Sequence, residues 1–314
     1  MIVQMTANII THLILSDGGL KGIAYIGIFH YLYIENMLKD IKYIAGTSIG
    51  AYFALIFALG IPFETIQTEF YNIIKNIEKE ECAVINFENC NNLFFNKGVI
   101  SVDFVFGYVI KFIQKKYQCS DMTFVEFVKR TGVNIYISAT NIHSSKMHLF
   151  SLETTPDVSI IQAVKSSMCI PFLFEPIEID GNLFNDGCLT SPLSSNNIFT
   201  EINSKNKLEI YIEPNVYQES NNYNGDEDIK SYIMRIFEIL YKNHFNKQSM
   251  SNTNQNILLL TDIPYGEVMK FNITNDKIKI DITKEDYDLL VLFGFSKISN
   301  FMKKLIVFTS VIIL

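Results

Sequence analysis

The run Tyr43-Ile44-Ala45-Gly46-Thr47-Ser48-Ile49-Gly50-Ala51-Tyr52-Phe53-Ala54-Leu55 leaves a chain few ways to fold. Ile41 to Ala45 is an apolar strand sequence, and Ala51 to Leu59 is an apolar helix sequence closed by Gly60-Ile61-Pro62. A serine becomes a useful nucleophile when a sharp strand-to-helix turn pushes its hydroxyl clear of the sheet. Glycines two positions to either side remove the side chains that would collide there. The helix that follows aims backbone N–H groups and the positive end of its dipole at the reacting atom. Ser48 is therefore the candidate nucleophile, with Gly46, Thr47, Ile49 and Gly50 as its elbow. The competing reading is a flexible Gly/Ser turn, and the flanking strand and helix patterns weigh against it.

Upstream, the apolar run Ile9 to Leu15 stops abruptly at Ser16-Asp17-Gly18-Gly19-Leu20-Lys21-Gly22, after which Ile23, Ile26, Phe29 and Leu32 recur at helical spacing. Such a loop binds anions because successive N–H groups converge where no side chain blocks them. Two uses compete. A dinucleotide-binding fingerprint needs G-x-G-x-x-G, but Asp17 stands at its first position and no acidic residue ends a second strand in the expected place. An oxyanion hole needs only two or three donors beside a nucleophile, and the next strand carries Ser48. The second use fits better.

Further along, Pro62 to Glu81 reads as a helix of mixed charge. Phe87, Phe94, Phe95, Phe104, Phe106, Tyr108 and Phe112 crowd the next stretch, as core packing or as an aromatic wall over an acyl-chain pocket. Thr123 to Thr131 is a short helix ended by Gly132. Val133 to Asn141 and Lys146 to Ser151 are partner strands turned at His143-Ser144-Ser145. Thr155-Pro156 predicts a helix start with Thr as cap and Pro at the first position, running to Ser167. Pro176 to Gly187 reads as a hairpin turning at Asp180-Gly181, which leaves Asp186 at the end of the return strand before Gly187 and Cys188. A carboxylate there can look into a site; an ordinary Asp-Gly turn is the plain alternative. Strand Leu208 to Ile212, polar loop Gln218 to Asp226, helix Ile229 to Tyr241, strand Ile257 to Leu260 and a helix from Lys284 to Lys304 complete the alternation.

The 314 residues are 48% hydrophobic and carry no linker, so a single α/β domain over 9–305 is expected. A net charge of −7 with scattered Lys and Arg removes the electrostatic footprint of nucleic-acid binding. The five cysteines have no CxxC spacing and no histidine in metal-site register, which predicts a reducing compartment and no metal. The N-terminus lacks the features of a signal peptide, so a cytosolic start is expected. Residues 306–314 form an apolar tail about half as long as a spanning helix, read as a buried terminal segment or, less simply, as a membrane-dipping one.

Glycine loop, serine elbow and a late Asp-Gly in this order resemble the patatin-like phospholipase family. The resemblance takes in Leu13 to His30, Ala45 to Ala51, Phe124 to Gly132 and Ala163-Val164-Lys165-Ser166-Ser167-Met168-Cys169-Ile170-Pro171-Phe172-Leu173-Phe174-Glu175-Pro176. It implies a three-layer α/β sandwich with a central, mostly parallel sheet flanked by helices. It also implies lipid acyl-ester hydrolysis at a membrane or micelle surface by a Ser-Asp dyad, with no catalytic histidine, metal or cofactor. By position Ser48 is the nucleophile, Asp186 the base, and Gly18, Gly19 and Leu20 the oxyanion amides. Lys21 and Gly22 close the loop. Two positions depart from the family: Asp17 replaces a usual glycine, being one of the few residues that tolerate the left-handed region, and Cys188 replaces Gly or Ala. Phospholipase A or lysophospholipase activity is expected first, neutral-lipid or general esterase activity second. A lipid-surface binding protein with lost turnover is the reading from another class.

The histidines argue the same way. A triad in α/β-hydrolase order needs a histidine after the acid, and only His244, in a polar run, follows Asp186. His12, His30, His143 and His148 precede it, and packing or surface roles are expected for all five.

Overall fold

In the computed structural model, which describes residues 9–77, 95–190, 198–199, 206–213, 256–264, 270–274 and 277–311, strands and helices alternate. The order is β1 (His12–Leu15), α1 (Ile23–Ile34), β2 (Tyr43–Thr47), α2 (Ile49–Leu59), α3 (Phe63–Asn76), β3 (Gly98–Ile100), α4 (Gly107–Tyr117), α5 (Phe124–Thr131), β4 (Asn134–Asn141) and β5 (Lys146–Phe150). Then follow α6 (Ile160–Met168), β6 (Phe172–Phe174), β7 (Ile177–Ile179), β8 (Asn182–Asn185), β9 (Lys207–Ile212), β10 (Ile257–Leu260), β11 (Lys270–Thr274), β12 (Lys277–Asp281) and α7 (Lys284–Val311). The main sheet runs β10-β9-β1-β2-β4-β8-β7, with β5 also on β4. From β10 to β4 every pair is parallel, and the pairs of β4 with β5 and β8 and of β7 with β8 are antiparallel. This is the expected α/β arrangement, a mixed, mostly parallel sheet flanked by helices.

The two-residue period of the strands divides the core. Leu13, Leu15, Ile44, Ile135 and Ile137 face a large apolar cluster built with α1, α2 and α6, whereas Ile14, Ala45 and Tyr136 pack with Phe199 on the other face. Helices α1 and α2 are buried nearly all round, so neither has a legible polar face. Helix α3 is amphipathic and buries Ile66, Phe70 and Ile74 at four-residue spacing. Helix α7 lies against α1 so closely that a β-carbon on Gly27 would stand 1.8 Å from the Val291 carbonyl oxygen. One on Gly294 would stand 1.9 Å from that of Ala24.

Local signals hold where local chemistry decides. Helix α5 opens on a capping box, the Thr123 side chain accepting from the Glu126 N–H and the Glu126 side chain from the Thr123 N–H, and it closes on Gly132 at φ 72°. The hairpin turns at Asp180 (φ 50°) and Gly181 (φ 73°), the two positive φ values that a two-residue primed turn needs.

One helix start is corrected. Helix α6 begins at Ile160, not at Thr155, because the carbonyls of Pro156 and Val158 accept N–H groups from the first turn of α5: Val125 at 3.1 Å and Phe124 at 3.2 Å. Ser159 pairs with Thr123 and becomes the cap, its Oγ accepting from the Gln162 N–H at 3.0 Å. Two small ribbons, β3 with β6 and β11 with β12, were not expected. Helix α7 passes its expected end at Lys304 and reaches Val311, so the apolar tail starts as helix. Among the described residues no helix is long and apolar enough to cross a membrane. The expected loop 218–226, the helix 229–241 and Phe87, Phe94, Cys82, Cys90 and His244 lie outside the described residues.

Candidate active site

Strands β2 and β8 share one edge of β4. Strand β5 occupies the other edge, since it pairs with Ile137 through Asn141, a stretch that overlaps both partners. Along the shared edge β2 runs parallel to β4 and stops at Thr47 opposite Ser138, while β8 runs antiparallel and stops at Asn185 opposite Thr140. The residue after each end, Ser48 and Asp186, therefore enters the same gap from opposite directions.

Across that gap the Ser48 Oγ donates to Asp186 Oδ2 at 2.6 Å. Ser48 sits at φ 53° and ψ −125°, a conformation that costs a non-glycine residue about 1–3 kcal/mol and persists only where the surroundings impose it. The surroundings are backbone. A β-carbon at Gly46 would lie 2.5 Å from the Gly50 oxygen, and one at Gly50 would lie 2.4 Å from both the Leu15 and Ser16 oxygens. The Ser48 carbonyl accepts from Ala51 and Tyr52 as α2 begins.

Asp186 is held on every side and is 1% exposed. Its N–H donates to the Cys169 carbonyl at 2.8 Å, its carbonyl accepts from Thr140 Oγ1 at 2.9 Å, and its Oδ1 accepts from the Cys188 N–H at 2.9 Å. Burial pushes the carboxyl pKa up to about 6, against the hydrogen bonds from Ser48 and Cys188 that pull it down. Such a group is mostly ionised at neutral pH and still basic enough to take a proton. Cys188 is half-buried; burial first, and then the Asp186 charge, hold its thiol well above the ordinary range, so it stays neutral.

The glycine loop lies against this elbow. Gly19 to Gly22 form a 3-10 turn, the Lys21 N–H donating to the Gly18 carbonyl at 3.2 Å. The buried Lys21 ammonium reaches the Glu213 carbonyl at 2.7 Å and ties the loop to the end of β9. Gly22 packs on the Ile49 side chain, and Gly50 on the Leu15 and Ser16 carbonyls, so loop and elbow touch at two points. The left-handed position expected at Asp17 falls instead on Gly19, at φ 53°. Asp17 is buried without needing that conformation.

Four histidines have other work. His12 stacks on Tyr43 at 4.4 Å, and burial together with the nearby Lys207 brings its pKa down to about 4. His30 stacks on Phe63, His143 accepts from the Leu183 N–H at 3.2 Å, and His148 packs edge-on against Phe150. In the aromatic stretch, Phe106 is buried edge-on to Tyr52, and Phe104, Tyr108 and Phe112 pack against the core, as the packing reading expects; Phe95 is 78% exposed.

Sequence reasoning missed Ser167 and Ser138. The Ser48 N–H donates to Ser167 Oγ at 2.8 Å, and Ser167 Oγ donates to the Ser138 carbonyl at 2.6 Å. The available signal was a pair of adjacent serines, Ser166 and Ser167, in the last turn of α6.

The family model described as Patatin-like phospholipase matches residues 13–200. An uncharacterized protein of Acanthamoeba polyphaga mimivirus is 27% identical over 59% of this chain and 60% of its own length. A protein of Invertebrate iridescent virus 6 named "Probable lipid hydrolase 463L" is 26% identical over 62% of this chain and 65% of its own. The match thus spans less than two thirds of either relative. Triacylglycerol lipase 4 of Saccharomyces cerevisiae is 29% identical over 52% of this chain and 18% of its own length. Among solved structures, VipD from Legionella pneumophila superposes over 94% of this chain and 67% of its own with a TM-score of 0.57 at 19% identity, a likeness of fold.

Proposed function

The chain belongs to the patatin-like phospholipase family, and from that premise we propose that it hydrolyses carboxylic esters of lipids through an acyl-enzyme on Ser48. The observation that carries the reading is the 2.6 Å hydrogen bond from Ser48 Oγ to Asp186 Oδ2 at a strained elbow. As the oxygen attacks the ester carbonyl, Asp186 takes its proton and later returns it to the leaving alcohol. The same carboxylate then takes a proton from the water that attacks the acyl-enzyme and passes it to Ser48 Oγ as the fatty acid leaves. The N–H groups of Gly18, Gly19 and Leu20 are assigned to the tetrahedral oxyanion, because their loop abuts the elbow. Residues 9–305 are taken as one unit, since β9 and β10 extend the sheet that carries Ser48.

A phospholipid or lysophospholipid ester, met at a membrane or micelle surface, is the first substrate class, following the family description. Triacylglycerol is the second, favoured by the name of the yeast relative. The test is release of fatty acid from phosphatidylcholine vesicles, lysophosphatidylcholine micelles and a triolein emulsion by the wild type and by Ser48→Ala. Turnover and fluorophosphonate labelling are expected to vanish in the variant with its melting temperature kept. A Ser48→Ala protein that still hydrolyses esters at a similar rate would overturn the assignment.

A further inference from the structure

An N–H at the strained position of an elbow needs a partner, because the strand before it has ended and the helix after it has not begun. In this chain the partner of the Ser48 N–H is a side chain, Ser167 Oγ, at 2.8 Å. Helix α6 brings it there from 119 residues away in sequence. The hydroxyl has one proton, and that proton is committed to the Ser138 carbonyl at 2.6 Å, so its lone pairs are turned toward Ser48. The chain of donors runs one way, from Ser48 through Ser167 to Ser138, and it does not pass through the Ser48 hydroxyl or the Asp186 carboxylate.

Ser138 joins more than this. It stands opposite Thr47 in the β2–β4 register, and the two hydroxyls bond at 2.6 Å. Gly187, the residue after the base, packs so tightly on it that a β-carbon there would lie 2.5 Å from the Ser138 carbonyl oxygen. The residue before the nucleophile, the residue after the base and the clamp on the nucleophile's N–H thus converge on one position of β4. Thr47, Ser138 and Ser167 are all buried, so water does not compete for these bonds.

We infer that Ser167 is a positioning residue, whose hydroxyl clamps the Ser48 peptide to β4 and so holds the nucleophile in line with its base. The inference rests on the reading of Ser48 as nucleophile. Without the clamp the Thr47–Ser48 peptide is free to rotate and relax the positive φ, which swings Oγ away from Asp186. Substrate-binding surfaces are untouched, so the loss falls on kcat and not on KM.

The adjacent residue supplies a matched control. Ser166 is equally buried, and its hydroxyl has no hydrogen-bond partner among the described residues. Removing it deletes no bond.

The experiment compares wild type, Ser167→Ala, Ser167→Cys, Ser166→Ala and Ser48→Ala in ester turnover, rate of fluorophosphonate labelling and pH profile, each normalised to folded protein. Ser167→Ala is expected to lower kcat and labelling rate at least tenfold, with KM within twofold and the acidic limb at the wild-type pH. Ser167→Cys, which keeps the shape with a weaker acceptor, should fall between it and wild type, so the clamp remains testable if the alanine variant folds poorly. Ser166→Ala should stay within twofold of wild type. A Ser167→Ala enzyme with wild-type kcat overturns the inference and leaves the Ser48 reading standing. So does a limb that moves, because the residue would then act through Asp186. Turnover that survives in Ser48→Ala instead defeats the reading on which the inference rests.

Discussion

Backbone meets backbone both at the elbow around Ser48 and at the crossing of α1 with α7. Both depend on glycine, and the glycines serve opposite ends. At the crossing, Gly27 and Gly294 let two helices come within carbonyl contact, and neither glycine takes a positive φ. The gain there is close packing. At the elbow, Gly46 and Gly50 admit the same closeness, but it holds Ser48 at φ 53° beside a carboxylate kept from water. Destabilising features gather where chemistry is assigned, and the helix crossing is one of the regions that offset them.

The largest test of that contrast is Asp186→Asn. The amide keeps the shape but takes no proton, so turnover should fall about 10²–10⁴-fold, the usual worth of a general base. Stability should move the other way. Because burial raises the carboxyl pKa from 3.8 to about 6, the charged form is disfavoured in the folded state. The contribution of Asp186 to stability is therefore intact below pH 4 and lost as pH rises through about 6. Urea unfolding should find the variant's advantage over wild type larger at pH 8 than at pH 4, by up to roughly 3 kcal/mol. The wild-type kcat/KM should fall on an acidic limb near pH 6 that His244→Ala leaves in place. A limb that vanishes with His244 would replace the dyad by a triad, and an advantage that shrinks with pH would contradict the burial argument.

Gly294→Ala tests the other side. Its methyl meets the Ala24 carbonyl at 1.9 Å and must push the helices apart, at about 1–3 kcal/mol for such overpacking. Thermal melts should drop by several degrees while kcat per folded molecule stays within twofold. A fall in kcat at temperatures where the variant is folded would couple the two regions and break the comparison.

The smallest effect belongs to Thr123→Ala. It removes the capping box of α5 and should cost about 1 kcal/mol of unfolding free energy, with activity unchanged. A loss of activity here would mean that the α5 to α6 junction, where Thr123 pairs with Ser159, bears on Ser167 at the far end of α6.

The elbow, the glycine loop, the bounds of α5 and the Asp180-Gly181 hairpin were legible in the sequence because each is decided within a few residues, by steric freedom, helix-end or turn chemistry. Asp186 was legible only as a strand end, and its selection over an ordinary Asp-Gly turn came from the family resemblance. The start of α6 was misread for a physical reason. Thr155-Pro156 carries good local start chemistry, yet the carbonyls it would need are taken by the first turn of α5.

By itself, then, the sequence determined the order of the strands that build the main sheet, the place where a serine could stand proud of it, and the loop able to present N–H groups beside it. Only the tertiary structure decided that β2 and β8 end against each other on one edge of β4, 138 residues apart in sequence at Ser48 and Asp186. Burial of Asp186, the clamp of Ser167 on Ser48 and the glycine crossing of α1 and α7 belong to the same class. Each depends on groups distant in the chain competing for one buried space, where a few tenths of an ångström decide which contact forms, and no local pattern records that competition.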